Sequence, residues 1–159
     1  MKGYTLFEIL IVLLIGAVLA TIAIPGFRYW QQRQQADHAI RQIAYAVQFA
    51  RINALTHAQQ TVLCPSVDGK NCDANWCGSY MVALANEDDS PAKPLRIFSA
   101  TKHGCLKWKG FPARAYLVFN TLGYSNEQNG RFSYCPSYLT KCSRSLIINR
   151  LGRSRIVKS

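Results

Sequence analysis

The sequence predicts an α+β fold in which one long N-terminal helix precedes a set of antiparallel strands. Three observations predict it. Apolar residues crowd between Leu6 and Ile24, broken by one charge at Glu8. From Gln31 to about Gln60, Ala36, Ile40, Ile43, Val47, Ala50 and Ala54 recur at spacings of four and three, the period of one helical stripe. Beyond Gln60, short apolar runs alternate with Gly, Asn, Asp and Ser, the punctuation of an antiparallel sheet.

The chain has 159 residues, 49% hydrophobic and 17% charged, with a net charge of +11. That is enough for one domain, and it excludes a disordered chain, a multi-domain enzyme and a polytopic membrane protein. The excess of Lys and Arg points to a polyanion as partner: nucleic acid, anionic lipid or an acidic protein surface.

The apolar segment comes first. As a helix at ~1.5 Å per residue, Leu6 to Ile24 is roughly 28 Å long, enough to cross a hydrocarbon core. A signal peptide fits poorly. Only Met1-Lys2 precedes the apolar run with any charge, and Ala20-Thr21-Ile22-Ala23 makes a weak cleavage site. Glu8 is costly in lipid and needs a partner. Cleavage after Gly3 would leave a free α-amine on Tyr4, which the Glu8 carboxylate of a neighbouring copy could pair with, neutralising the charge only on assembly.

Pro25 and Gly26 then predict a kink or local melting. Phe27-Arg28-Tyr29-Trp30 suits a membrane interface. The amphipathic helix follows, with His38 and His57 as surface or capping residues. Strands are expected at Thr61–Cys64, Tyr80–Leu84, Leu95–Phe98, Ala115–Phe119, Arg131–Cys135 and Ser145–Asn149, with a polar loop from Asn86 to Pro94, giving roughly six or seven strands in all.

Six cysteines, Cys64, Cys72, Cys77, Cys105, Cys135 and Cys142, all lie after the apolar run. No CxxC spacing favours zinc, so a disulfide framework in an exported domain is expected. Fifteen full pairings are open. Short loops favour Cys64 with Cys72 and Cys135 with Cys142, which leaves Cys77 with Cys105.

Catalytic chemistry is scarce. Glu87, Asp88 and Asp89 form a solvated charge run, His103 lies near a disulfide cysteine, and neither HExxH, GxSxG nor a Walker motif occurs. No enzyme activity, cofactor or metal is expected. Positive charge gathers at the C-terminus instead. After Glu127 come Arg131, Lys141, Arg144, Arg150, Arg153, Arg155 and Lys158, with no acidic residue among them. Gly152 lets the backbone turn, and Arg153 and Arg155 share one side of an extended chain. Arginine's planar fork suits phosphate oxygens. Lys102, Lys107 and Lys109 around Trp108 form a lesser basic group.

The opening Gly3-Tyr4-Thr5-Leu6-Phe7-Glu8 with its apolar run resembles a class III, type IV pilin-like leader. The helix segment Phe49-Ala50-Arg51-Ile52-Asn53-Ala54, then Val62-Leu63-Cys64, Trp76-Cys77-Gly78, Phe119-Asn120-Thr121-Leu122-Gly123 and Gly152-Arg153, is similar to the GspH/FimT family of minor pilins and pseudopilins. The resemblance implies a long N-terminal helix packed on a β-sandwich-like domain. It also implies that a prepilin peptidase cuts after Gly3 and methylates Tyr4, and that Glu8 serves assembly with other major and minor pilins. The implied layout is leader 1–3, transmembrane and assembly helix 4–26, amphipathic helix 27–60, β-rich domain 61–149 and basic tail 150–159. The molecule would sit in the bacterial inner membrane as a single-pass protein with a periplasmic domain, then pass to the pilus at the cell surface.

Gly152-Arg153-Ser154-Arg155 resembles the GRxR motif of DNA-binding FimT-type pilins of natural transformation. Carried over, Arg153 and Arg155 bind double-stranded DNA, supported by Arg150 and Lys158, with Lys141, Arg144, Lys107 and Lys109 as lesser contributors. A type II secretion pseudopilin and a purely structural pilus-tip subunit are the alternatives.

Overall fold

The computed structural model describes residues 5–99, 101, 104–136 and 142–158, the side chain of Lys158 excepted. Gly3, Tyr4, Lys102, His103 and Lys141 lie outside the described residues. The chain divides into two compact units, Met1–Gln34 and Gln35–Ser159. One helix, α1 (Leu6–His57), runs through the boundary.

In the first unit α1 is long and apolar enough to cross a membrane. Leu6, Phe7, Val12, Leu14 and Ile22 are each more than 60% exposed, as expected of side chains that face lipid or other helices rather than a core of their own. Local melting, one of the two outcomes expected at Pro25, does not occur, and the helix continues across it. Proline deletes one backbone donor, and the surrounding turns keep their bonds. Phe27 and Trp30 pack ring to ring at 5.8 Å, and the Arg33 guanidinium lies over Tyr29.

In the second unit the helical stripe is buried. Ala36, Ile40, Ile43, Val47, Ala50 and Ala54 are joined on that face by Ala39 and Ala46. Five alanines on the face keep the helix close to the strands beneath it. Eight strands follow among the described residues, one or two more than expected. They are β1 (Thr61–Pro65), β2 (Tyr80–Ala85), β3 (Pro91–Phe98), β4 (Gly104–Phe111), β5 (Leu117–Phe119), β6 (Asn129–Pro136), β7 (Arg144–Ile148) and β8 (Ser154–Lys158).

Two four-stranded antiparallel sheets result, ordered β3-β2-β1-β5 and β4-β6-β7-β8. The buried face of α1 and one face of each sheet share a single core. Leu63, Tyr80, Val82, Leu117 and Phe119 enter it from the first sheet, and Leu106, Phe132, Tyr134, Leu146 and Ile148 from the second. A smaller cluster of Val62, Cys64, Met81, Ala83 and Val118 covers the other face of the first sheet. Aromatic rings fill the core: Tyr80 stacks on its cross-strand partner Phe98 at 5.2 Å, and Trp76 meets Phe132 of the second sheet edge-on at 4.7 Å.

One expectation is corrected. The polar loop from Asn86 ends early, because β3 starts at Pro91 and carries Pro91 and Pro94 on a sheet edge, where a missing N–H costs no ladder bond. Lys107 and Lys109 lie on a full strand, β4. Within the basic tail, Ser154–Lys158 pairs with β7 as the last strand of the second sheet. Three disulfides pair Cys64 with Cys72, Cys77 with Cys105, and Cys135 with Cys142. Cys105 lies on β4 and Cys77 lies just before β2, so the second bridge links one sheet to the approach of the other.

Candidate nucleic-acid interface

The turn between β7 and β8 presents the C-terminal arginines. The Asn149 N–H donates to the Arg153 carbonyl at 3.0 Å, and the Gly152 N–H donates to the Asn149 carbonyl at 2.9 Å. The Asn149 side chain accepts the Arg153 N–H at 2.9 Å. Gly152 supplies the positive φ of 71° that the turn requires. These bonds occupy backbone groups and leave the guanidinium groups of Arg150 and Arg153 at the exposed surface.

Gly152 is also fixed by its neighbours. A Cβ there would stand 2.6 Å from the Gly123 carbonyl oxygen and 3.3 Å from the Phe119 ring. Gly123, at φ 72°, closes the turn after β5, which Asn120 organises by accepting the N–H groups of Leu122 and Tyr124. The stem of Arg51 from α1 runs beside both glycines: a Cβ would stand 3.2 Å from its Cγ at Gly123 and 3.6 Å from its Cδ at Gly152. An open hollow of about 480 Å³ adjoins this junction, lined by Arg51, Ile52, Leu55 and Arg153 among others.

Arg155 occupies a different setting. It pairs with Ile147 of β7, Ile147 with Arg131 of β6, and Arg131 with Lys109 of β4. Alternation along each strand sends Leu106, Phe132, Tyr134, Leu146 and Ile148 inward. Lys107, Lys109, Arg131 and Arg155 are exposed. They fall on the opposite parity, so the register assembles a basic outer face on the second sheet.

Arg144 does not join this surface. It belongs to the inward parity of β7, where its Nε lies 2.6 Å from Asp37 Oδ1 and its Nη2 donates to Oδ2 at 3.0 Å. Its fork is committed to a carboxylate, so it is not available to phosphate. Lys158 stands opposite Arg144 in the β7–β8 register. Among the described residues, the other ion pair joins Arg114 to Asp89 at 2.9 Å. None is recorded for Arg150, Arg153, Arg155, Arg131, Lys107 or Lys109.

At the other end of the chain, Thr5 and Glu8 form a reciprocal capping box. The Thr5 N–H and hydroxyl donate to Glu8 Oε2 at 3.1 and 3.2 Å, and the Glu8 N–H donates to Thr5 Oγ1 at 3.3 Å. Glu8 therefore caps its own helix. Elsewhere, two carboxylates of the second unit are held in their charged form. Asp68 accepts the N–H groups of Asn71 and Lys70 and the Asn71 amide, which pushes its pKa well below the usual carboxylate value. Asp88 is lowered by the Ser90 hydroxyl and N–H. Neither forms a metal cage, and no cluster of three or more His, Cys, Asp or Glu gathers among the described residues.

Some of these partners escape a reading of the sequence. Arg131 looks like one more cation until the β4–β6 register sets it beside Lys109. Asp37 is 107 residues from Arg144, and no local pattern joins them. The Thr5-x-x-Glu8 spacing, by contrast, is a visible capping signature.

The family model described as Type II transport protein GspH matches residues 39–152, most of the chain and nearly all of the second unit. The chain belongs to the GspH family. A second model, the prokaryotic N-terminal methylation motif, matches residues 1–24. Together the two models account for both the apolar opening and the disulfide-bonded domain of this GspH-family chain.

Among solved structures, the type IV minor pilin FimU of Pseudomonas aeruginosa superposes with a TM-score of 0.64 at 21% identity, covering 80% of this chain and 92% of that one. The minor pseudopilin EpsH of the Vibrio cholerae type 2 secretion system gives 0.54 at 14% identity, covering 78% and 97%. Both share the fold. The type IV major fimbrial protein FimA of Dichelobacter nodosus is 31% identical over 84 residues, which are 53% of this chain and 48% of that protein. The match thus spans about half the length of that relative.

Proposed function

We propose that this GspH-family chain is a minor type IV pilin that binds extracellular double-stranded DNA, without reading its sequence, during natural transformation. One observation carries the reading: Arg150 and Arg153 on the β7–β8 turn and Arg155 on β8 are all exposed, with no carboxylate partner among the described residues. A net charge of +11 adds long-range attraction to a polyanion. Among the described residues there is neither a recognition helix nor another device for groove readout, so in this reading phosphate contacts supply the affinity.

Neutralising three or four phosphates gives a slope of log affinity against log salt of roughly -3, and a fourfold rise in salt costs about 60-fold. One subunit binds weakly, and several along a filament add avidity. The test is duplex binding by the full chain in neutral detergent, followed by fluorescence anisotropy. Arg153→Gln/Arg155→Gln should weaken binding roughly 30-fold near physiological salt. Unchanged affinity in that variant removes these arginines from the mechanism.

Assembly rests on the first unit. In this reading a prepilin peptidase cuts after Gly3, the inner membrane holds the helix before assembly with the disulfide-bonded domain in the periplasm, and Glu8 leaves its capping box to meet the Tyr4 amine of an adjacent pilin. Glu8→Ala should be cut normally and enter filaments poorly; full incorporation would contradict the pairing.

The second reading is a minor pseudopilin of type II secretion. The wording of the matching family model and the fold shared with EpsH favour it. Failure of the wild-type chain to bind duplex at low salt would support it over DNA capture.

A further inference from the structure

We infer that the outer face of the second sheet is a DNA-contacting surface in its own right, built on Lys109, Arg131 and Arg155 with Lys107 beside them. This rests on the reading of the chain as a DNA-binding pilin, and it adds residues that lie outside the C-terminal turn.

The β4–β6 register sets Lys109 directly opposite Arg131. Like charges facing each other across strands destabilise a sheet. Both side chains are exposed, and neither has a carboxylate partner among the described residues. The fold thus carries a repulsion that it does not relieve internally, and an external anion relieves it. The register continues through Ile147 to Arg155, so three cations, on β4, β6 and β8, stand in a row that crosses the sheet.

Strands lie ~4.8 Å apart, which makes the row about 14 Å long. One strand of duplex DNA places a phosphate every ~3.4 Å along its axis, or about four over that length. Three cations in the row, with Lys107 one pleat along β4, face about four phosphates, a comparable density. The row also uses both cation types to advantage, Arg131 and Arg155 as forks and Lys109 as a mobile point charge. The half-buried Ile147 between the arginines offers no base-reading group, in keeping with backbone contact alone.

The experiment measures anisotropy of a short fluorescent duplex of mixed sequence with the full chain in neutral detergent, across a salt series. The variants are Lys109→Gln/Arg131→Gln, the charge-conserving Lys109→Arg/Arg131→Lys, and Arg150→Gln/Arg153→Gln. The first should bind roughly 30-fold more weakly near physiological salt, with a salt slope shallower by about two than the parental slope, which the added cations bring to roughly -5. Its thermal midpoint should be no lower than the parent's, because the repulsion is gone. The charge-conserving variant should keep the parental slope.

A parental slope in Lys109→Gln/Arg131→Gln, while Arg150→Gln/Arg153→Gln loses affinity, would overturn the sheet-face surface and leave the C-terminal reading standing. Loss of affinity together with a fall in thermal midpoint, unrescued by the charge-conserving pair, would also overturn it by marking the two residues as structural. Absence of duplex binding by the wild-type chain would overturn both.

Discussion

Arg144 grips Asp37 with two parallel contacts, Nε to Oδ1 at 2.6 Å and Nη2 to Oδ2 at 3.0 Å, and so ties β7 to the packed part of α1. The side chains are 22% and 28% exposed, between a free surface pair and a buried one. Arg144→Gln should therefore cost about 1–2 kcal/mol of stability, read as a lower urea midpoint. It should leave duplex affinity and its salt slope unchanged. A shallower slope in this variant would return Arg144 to the DNA-binding set.

Gly152 meets two constraints at once, a φ of 71° and a Gly123 carbonyl oxygen 2.6 Å from where a Cβ would stand. Gly152→Ala is strained in backbone and in space. It should destabilise the domain by about 1–3 kcal/mol and loosen the turn that carries Arg150 and Arg153. Thermal unfolding measures the first effect. A variant as stable as the parent would show that the turn relaxes freely.

Asp68 has a pKa lowered in the folded protein from its ordinary value of 3.8, first by the Asn71 N–H and then by the Lys70 N–H. The sign follows from linkage. A depressed carboxylate pKa contributes stability that is complete above the unfolded value and is lost as pH falls below it. The urea midpoint should thus hold steady down to about pH 4 and then decline. Asp68→Ala should lower the midpoint at neutral pH and flatten the acid decline. Asp88 contributes with the same sign. Parallel curves for parent and variant between about pH 5 and pH 2 would rule out the Asp68 contribution.

The parts legible in the sequence are those with a strong period or a local pattern. Ala36 to Ala54 repeats with the helical period, and its predicted stripe is the buried face of α1. Tyr80 to Leu84 and Leu146 to Ile148 are apolar enough to read as strands. β4 reads poorly because it is a sheet edge with one face in solvent, where Lys107 and Lys109 alternate with Trp108. β3 is disguised by two prolines that only an edge tolerates.

The candidate site divides in the same way. Arg150, Arg153 and Arg155 stand close in sequence and are visible at once. The company of Arg155 is not, since Arg131 and Lys109 reach it only through strand register. Arg144 looked like a free cation because its acid lies on α1, 107 residues away. Distant pairing decides which charges are spent inside the fold and which face outward.

The central claim concerns what the outward arginines do in a living filament. The most direct measurement is DNA uptake by cells whose sole copy of this chain carries Arg153→Gln/Arg155→Gln, with pilus number matched to the parent. The account predicts uptake reduced by at least about tenfold with filaments intact. Parental uptake by such cells would contradict it.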